Sequence, residues 1–128
     1  MIFLCKENFN MRLFYYLSTC QTCKHIIKDL DLDDSIQKID IKKNPINKDQ
    51  LNYLYKIEGC YENLINKRAQ LFKTLSLSNN VLGENDFKKL LLKHYTFLKR
   101  PVLVYDNYLF IGNSSNITIK MKKFLSER

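Results

Sequence analysis

The chain has 128 residues, of which 45% are hydrophobic and 27% charged, a composition that suits one folded domain and excludes an intrinsically disordered chain. Its formal net charge of +8 is compatible with an acidic partner or an anionic substrate, but the lysines are scattered apart from a short cluster at 120–123, so direct nucleic-acid binding is not expected. No apolar run approaches the roughly 20 residues of a membrane span, and residues 1–10 lack a signal-peptide core, so we expect a cytoplasmic protein without membrane contact.

The first third of the chain predicts a βαβ unit. Residues 1–10 show no clear period and are interpreted as a peripheral N-terminal extension of a single domain that spans 11–128. The aromatic-rich stretch 12–17 predicts a strand, and 35–41 predicts a second one. Between them a helix should begin near Cys20, because apolar residues recur there at helical spacing: Cys23, Ile26, Ile27 and Leu30.

The middle of the chain predicts helices. Asn47 followed by Gln50 resembles a capping box at the start of one helix, and Gly59 is a suitable end for it. An apolar stripe that begins at Tyr61 predicts one helix or two short ones. The pair at 85–86, Asn-Asp, then caps a further helix.

The end of the chain predicts a hairpin and a last helix. Two short strand patterns, 102–105 and 108–111, are joined by an Asp-Asn turn at 106–107. Ser114 or Ser115 caps the helix that follows.

The order of these elements predicts an α/β fold. An early βαβ unit requires a parallel strand pair with a right-handed crossover, and the late hairpin adds an antiparallel pair to the same sheet. The result is a thioredoxin-like mixed four-stranded sheet flanked by helices. An all-helical insertion at about 59–97 separates the βαβ unit from the C-terminal ββα unit.

Cys20 and Cys23 form the only Cys-x-x-Cys among the four cysteines, which favours redox or metal chemistry over a disulfide framework. Cys20 lies where a strand gives way to a helix, so unpaired N–H groups and the helix dipole favour its thiolate. Cys23, one turn later, is placed to attack a sulfur bonded to Cys20; a pair of buried core thiols is the alternative. No metal is expected, because zinc needs two further ligands, whereas His25 points to another helix face and His94 is isolated.

Two arginines are candidates for holding an anion. Arg68 falls in register with the apolar stripe of its predicted helix, where an unpaired charge is costly. Its partner would be either Asp40, as a structural ion pair, or a thiolate or oxyanion at Cys20. Arg100 precedes Pro101 at the start of a strand, where a cis bond is possible and where the proline of a thioredoxin-like fold faces the redox pair. A surface arginine before a trans proline is the alternative.

Four stretches occur together in an order and spacing that is fairly specific. They are STCQTCK at 18–24, NKRAQLFK at 66–73, HYTFLKRPV at 94–102 and FIGNS at 110–114. Over 12–125 the chain resembles the glutaredoxin-dependent arsenate reductases and their Spx-like relatives.

The resemblance implies roles for five residues. Cys20 matches the catalytic or redox cysteine of the family, and Arg100 matches the arginine of its Arg-Pro motif. Arg68 matches the arginine of the Spx-like branch. Thr19 and Pro101, beside the cysteine and in the Arg-Pro motif, are assigned with both arginines to a substrate- or anion-binding site.

The chain also departs from the arsenate-reducing branch. Members of that branch place oxyanion-binding arginines at the position of Asn66 and near Ile111 and Gly112, and both are missing here. Cys23 instead supplies an internal second thiol, as in Spx-type regulators with a Cys-x-x-Cys switch, which act by binding the RNA polymerase α subunit.

We therefore expect an arsenate reductase-like thiol-disulfide oxidoreductase with Cys20 as nucleophile and Cys23 as resolving thiol. No bound cofactor is expected: glutathione or a protein thiol reductant, glutaredoxin or thioredoxin, would act as co-substrate, and the substrate would be a small thiol or oxyanion. Two alternatives stay open. One is an Spx-type redox-sensing transcriptional regulator that binds RNA polymerase through its α subunit, and the other is a true arsenate reductase.

Overall fold

The secondary structure follows the predicted order. The computed structural model describes residues 11–75 and 81–128, so the predicted extension 1–10 lies outside the described residues. The strands are β1 (Arg12–Tyr16), β2 (Gln37–Asp40), β3 (Val102–Tyr105) and β4 (Tyr108–Ile111). The helices are α1 (Gln21–Leu30), α2 (Lys48–Glu58), α3 (Gln70–Thr74), α4 (Glu84–Lys93) and α5 (Ser115–Ser126).

The strands form one mixed sheet in the order β2-β1-β3-β4. β1 is parallel to β2, and β3 is antiparallel to both β1 and β4. The predicted α/β fold with a four-stranded mixed sheet is therefore confirmed. Because Tyr15 near the end of β1 lies opposite Val102 at the start of β3, the segments that follow β1 and precede β3 meet at one edge of the sheet.

Each face of the sheet carries its own core, since successive strand residues point to opposite faces. On one face, Leu13 and Tyr15 pack in a cluster with residues of α2, α3 and α4. On the other face, Phe14 packs with residues of α1 and α5, Ile26 and Met121 among them. Both faces are thus covered by helices, as the sequence predicts.

The predicted ends of α2 are confirmed. Gln50 N–H donates to Asn47 Oδ1 at 2.8 Å, and Asn47 N–H donates to Gln50 Oε1 at 3.0 Å, which completes the capping box. The helix ends at Gly59, whose φ of 90° is the left-handed conformation that glycine adopts without a Cβ penalty.

Two other helix starts can be compared with their predictions. α4 begins earlier than the Asn-Asp pair at 85–86 suggests, because Gly83 is its N-cap and Gly83 N–H donates to Asp86 Oδ2 at 2.8 Å. At α5, Ser114 is the cap and its hydroxyl accepts from Ile117 N–H at 3.2 Å.

The stripe that begins at Tyr61 forms two short elements, a 3₁₀ helix (Glu62–Leu64) and α3, with a turn between them. The prediction that Arg68 lies on the apolar side of a helix is wrong: it is exposed in this turn. The reason is a long-range contact, since Ile65 forms an antiparallel bridge with Leu98 that keeps the chain extended and interrupts the helix.

No helix within residues 11–75 and 81–128 is both long and apolar enough to cross a bilayer.

Candidate active site

Cys20 lies in the loop that leaves the end of β1 and begins α1. It is the N-cap of α1, with an extended backbone (φ −96°, ψ 114°), and its N–H donates to Leu17 O at 2.9 Å. Ser18, two residues earlier, donates its N–H to Asp40 Oδ1 at 3.2 Å. The loop that presents Cys20 is therefore held both by a turn and by a side chain from the neighbouring strand β2.

Asp40 is the anchor of this loop and not the partner of Arg68. Its side chain is only 7% exposed, and Oδ1 also accepts from Lys42 N–H at 3.1 Å. Oδ2 is buried with no hydrogen-bond partner among the described residues. Burial opposes ionisation, but the hydroxyl and N–H of Ser18, the N–H of Lys42 and the charge of Lys43 together hold the pKa of Asp40 below its usual value.

The surroundings of Cys20 favour its thiolate. Partial burial opposes the charge, but the backbone N–H groups of Cys23 and Thr22, the Cys23 thiol and the Arg100 guanidinium outweigh it and lower the pKa of Cys20. These N–H groups belong to the first turn of α1, where they have no helical acceptor. Cys20 is half-buried, so this thiol with a lowered pKa belongs to a residue that keeps part of its surface in solvent.

Cys23 has the opposite character. It is fully buried in the core cluster that also contains Tyr15. Burial raises the pKa of Cys23 to about 12, and the adjacent Cys20 adds to this, while the backbone of Leu17 and the charge of Arg100 act against it. The surroundings thus rank the two thiols by acidity: the Cys20 thiol ionises more readily, and the buried Cys23 thiol beside it keeps its proton.

Arg100 is the charge that acts on both thiols. It is half-buried, and its Nη1 donates to Thr96 O at 3.1 Å. The Arg100–Pro101 peptide bond is cis, the conformation that the sequence left open. Pro101 is buried at the start of β3, and its carbonyl accepts from Gly112 N–H at 2.9 Å. Sheet pairing brings Pro101 to the same edge as the Cys20 loop.

The turn that carries Arg68 is held close to the segment before Arg100 by backbone hydrogen bonds. Asn66 N–H donates to Phe97 O at 2.7 Å, and Lys99 N–H donates to Leu64 O at 2.8 Å. These bonds tie the turn that carries Arg68 to the segment that precedes Arg100. The guanidinium of Arg68 is exposed and forms no ion pair with a described residue.

Thr19, the last residue predicted for the site, is exposed immediately before Cys20.

Three residues of the site were not recognised from the sequence in the part they play here. The sequence suggested Asp40 only as an ion-pair partner and His94 only as an isolated histidine, whereas Nδ1 of His94 accepts from Thr96 N–H at 3.2 Å. Thr96 was not considered, although its carbonyl holds Arg100. No signal was present for His94, because histidine is not one of the usual N-cap residues.

Other potential sites are less well placed. Among residues 11–75 and 81–128, no group of three or more His, Cys, Asp or Glu side chains is arranged to hold a metal. A cavity of about 340 Å³ opens between the last turns of α1 and α5, lined by Asp29, Tyr105 and Lys122 among others. No residue predicted for the redox site lines it.

The chain is similar to proteins of two kinds. It is 28% identical over 119 residues to global transcriptional regulator Spx 2 of Bacillus anthracis, covering 90% of this chain and 87% of the relative. It is 28% identical over 115 residues to regulatory protein MgsR of Bacillus subtilis, covering 86% and 89%. A solved structure described as a possible arsenate reductase from Streptococcus mutans UA159 is 28% identical, covers 83% of this chain and 93% of its own, and superposes with a TM-score of 0.63.

The chain also matches the model of a protein family over most of its length. The model of the ArsC family matches residues 15–119, which include the last two residues of β1, the Cys-x-x-Cys helix, the Arg68 turn and the Arg-Pro segment. A match over most of the chain, together with a thioredoxin-like fold and a cysteine at the start of α1, shows that this protein belongs to the ArsC family.

Proposed function

We propose that this chain is a thiol-disulfide oxidoreductase in which Cys20 attacks a disulfide substrate and Cys23 resolves the product. The observation that carries this proposal is the difference between the two thiols, one with a lowered pKa and accessible, the other with a raised pKa and buried. A nucleophile and a protected second thiol are what a two-step exchange needs.

The reaction proceeds in two exchanges. The Cys20 thiolate attacks one sulfur of the substrate disulfide, which forms a mixed disulfide and releases the other half as a thiolate that takes up a proton. Cys23 then loses its proton and attacks the Cys20 sulfur, which forms the Cys20–Cys23 disulfide and releases the second substrate thiol. The substrate gains two electrons and two protons. Both electrons come from the two cysteines, whereas only one proton is matched by the protein, that of Cys23, and the other comes from solvent because Cys20 reacts as the thiolate.

The first exchange also prepares the second. In the reduced protein, Cys20 raises the pKa of Cys23. When the Cys20 sulfur is bonded to substrate, it no longer carries a negative charge. The charge of Arg100, which lowers the pKa of Cys23, is still present. Deprotonation of Cys23 is therefore easier in the mixed disulfide than in the reduced protein.

Two molecules of glutathione, or one glutaredoxin or thioredoxin dithiol, return the protein to its reduced form.

The exposed Arg68 and Thr19 and the half-buried Arg100 are the residues we assign to an anionic substrate group. Glutathione carries carboxylates that a guanidinium binds well. Asn66 and the pair Ile111–Gly112 provide no further guanidinium. Arsenate, which needs several cationic partners at once, is therefore the less favoured substrate.

Peptide mapping tests the central step. Cys20 and Cys23 share the tryptic peptide Leu13–Lys24, whereas Cys60 lies on Ile57–Lys67. After turnover with hydroxyethyl disulfide and glutathione, we expect the mass of Leu13–Lys24 to decrease by that of two hydrogens, as an internal disulfide requires. The control variant Cys60→Ser should reduce hydroxyethyl disulfide at the native rate. A peptide that carries only glutathione on Cys20, with no internal disulfide, would show that Cys23 does not resolve the intermediate.

A second candidate function is a redox-sensing transcriptional regulator, which the names of two relatives favour. In that case the same Cys20–Cys23 disulfide would change the affinity for a partner, the RNA polymerase α subunit, instead of being turned over. Pull-down of purified α subunit by the reduced and the oxidised chain, alongside the turnover assay, separates the two. Redox-dependent binding without turnover would replace the enzyme proposal by the regulator; turnover without binding would exclude the regulator.

A further inference from the structure

We propose that His94 is a positioning residue of the redox site, which acts on Cys20 through Thr96 and Arg100. The inference rests on the proposed role of Cys20 as the reactive thiol and adds the side chain that holds its activating arginine in place. His94 lies at the end of α4 and caps the short 3₁₀ helix Tyr95–Phe97, six residues before Arg100. Arg100 and Pro101 in turn directly precede β3.

The ring of His94 caps this 3₁₀ helix. Thr96 N–H donates to His94 Nδ1 at 3.2 Å, and Thr96 Oγ1 lies 2.9 Å from the same nitrogen. A backbone N–H can only donate, so Nδ1 must accept and the hydrogen of the neutral ring is assigned to Nε2. The ring is held in this orientation by stacking on Tyr95 at 4.5 Å and by an edge contact with Phe97 at 6.4 Å between ring centroids.

The 3₁₀ helix depends on this cap more than a longer helix would. Its two backbone bonds, Phe97 N–H to His94 O and Leu98 N–H to Tyr95 O, are both long at 3.3 Å. The His94 ring therefore holds Thr96 through its N–H and its hydroxyl, and the main chain of His94 holds the following peptide unit, which carries the Thr96 carbonyl, through Phe97 N–H.

The Thr96 carbonyl in turn anchors Arg100. Arg100 Nη1 donates to Thr96 O at 3.1 Å, and the guanidinium forms no ion pair with a carboxylate in the described parts of the chain. An arginine side chain has many rotamers, so a single well-placed acceptor decides how much of the time its charge lies beside the thiols. Loss of the His94 cap reorients that acceptor, and the charge then spends less time beside Cys20.

The test compares two substitutions of His94 in the full chain. His94→Ala removes the acceptor, whereas His94→Asn keeps one, because an asparagine side chain caps the N–H two residues later. The readout is the pH profile of Cys20 alkylation, followed by mass spectrometry of the peptide that contains Cys20. We expect His94→Ala to move the profile to higher pH and to slow alkylation near neutral pH by roughly two- to threefold. His94→Asn should restore the native profile.

Arg100→Met supplies the reference and separates this inference from the proposed function. It should shift the profile further than His94→Ala, and the double variant should shift no further than Arg100→Met alone, because His94 acts through Arg100. A shift in Arg100→Met without one in His94→Ala would reduce His94 to a structural cap and overturn the inference. No shift in Arg100→Met would overturn the proposed activation itself. If His94→Ala does not fold, His94→Gln, whose amide is one methylene too long for the cap, replaces it with the same two outcomes.

Discussion

Arg12 and Arg100 lie at opposite ends of the same sheet, and their surroundings differ. Arg12, at the start of β1, forms an ion pair with Asp106 through Nε and Oδ1 at 3.5 Å, and its guanidinium lies 4.3 Å above the ring of Tyr105. Arg100 donates to the carbonyl of Thr96 and acts on two thiols instead of a carboxylate. The charge of Arg12 is compensated by Asp106 and connects β1 to the hairpin, whereas the charge of Arg100 favours the Cys20 thiolate.

The largest effect is expected from removing Asp40, whose side chain anchors the Cys20 loop. Asp40→Ala leaves the part-buried N–H groups of Ser18 and Lys42 without their acceptor and should lower the free energy of unfolding by about 2 kcal/mol. Asp40→Asn keeps Oδ1 as the acceptor but removes the negative charge and replaces the unpartnered Oδ2 by an amide nitrogen, so its cost should be smaller than that of Asp40→Ala. Urea denaturation measures both.

Asp29→Ala provides a matched control for this experiment. Asp29 forms an exposed ion pair with Lys122 at 3.1 Å, and such pairs contribute about 0–1 kcal/mol. Equal losses for Asp40→Ala and Asp40→Asn would mean that the negative charge, and not the shared acceptor, holds the loop.

The second effect concerns the buried thiol at the Cys20 end. The pKa of Cys23 is about 12 in the folded chain, against about 8.5 for a cysteine in an unfolded chain. Between these values the unfolded state releases the proton and the folded state keeps it, so stability falls as pH rises. Between about pH 8.5 and 10 the loss should reach about 1.5 kcal/mol, and Cys23→Ala should abolish it.

Cys20 does not mask this effect. Its pKa is lowered in the folded chain, so its contribution to stability is fully present above about pH 8.5 and is lost as pH falls through its folded pKa. The measurement is the difference in the pH slope of unfolding free energy between the native chain and Cys23→Ala. Parallel slopes would contradict the burial of a protonated thiol.

The third effect compares the two arginines directly. Arg100→Met removes the charge that favours the thiolate, so alkylation of Cys20 near neutral pH should slow by roughly three- to tenfold. Arg12→Met should leave that rate unchanged and lower stability by at most about 1 kcal/mol, because its ion pair is partly exposed. Alkylation quenched at a series of times, followed by mass spectrometry of the peptide that contains Cys20, gives the rate for each variant. A comparable slowing in both variants would mean that the effect is one of general structure and not of local charge.

The parts of the fold that the sequence predicts correctly depend on neighbouring residues. The capping box of Asn47 and Gln50 and the hairpin turn at 106–107 are encoded within a few positions, and both are present. The same is true of Cys20 at the junction of β1 and α1. Local chemistry of this kind does not depend on how the rest of the chain folds.

The errors come from contacts between distant segments. The apolar stripe near Arg68 has helical spacing, but the bridge between Ile65 and Leu98 takes precedence over it. The role of Asp40 depends on parallel pairing that brings the end of β2 beside the loop after β1, where Ser18 lies. Side-chain periodicity contains no information about either contact, so these parts of the site became visible only in the folded chain.

The smallest effect is expected at Arg68, an exposed arginine that forms no ion pair with a carboxylate in 11–75 or 81–128. If it serves the anionic group of a substrate, its loss should affect charged reagents alone. Arg68→Ala should slow alkylation of Cys20 by the anion iodoacetate by roughly two- to fivefold, an effect that salt weakens, and leave alkylation by neutral iodoacetamide unchanged.

Lys67→Ala is the matched control, because it removes the same charge from the same turn. Lys67, however, is paired with Glu62 at 2.6 Å, so its charge is already compensated and the ratio of the two rates should stay near the native value. If Arg68→Ala slowed alkylation by iodoacetate and by iodoacetamide equally, Arg68 would act on the thiol and not on the incoming anion. An unchanged ratio would make it a solvated surface residue. Since neither reagent requires turnover or a partner, the result holds whether the chain acts as an enzyme or as a regulator.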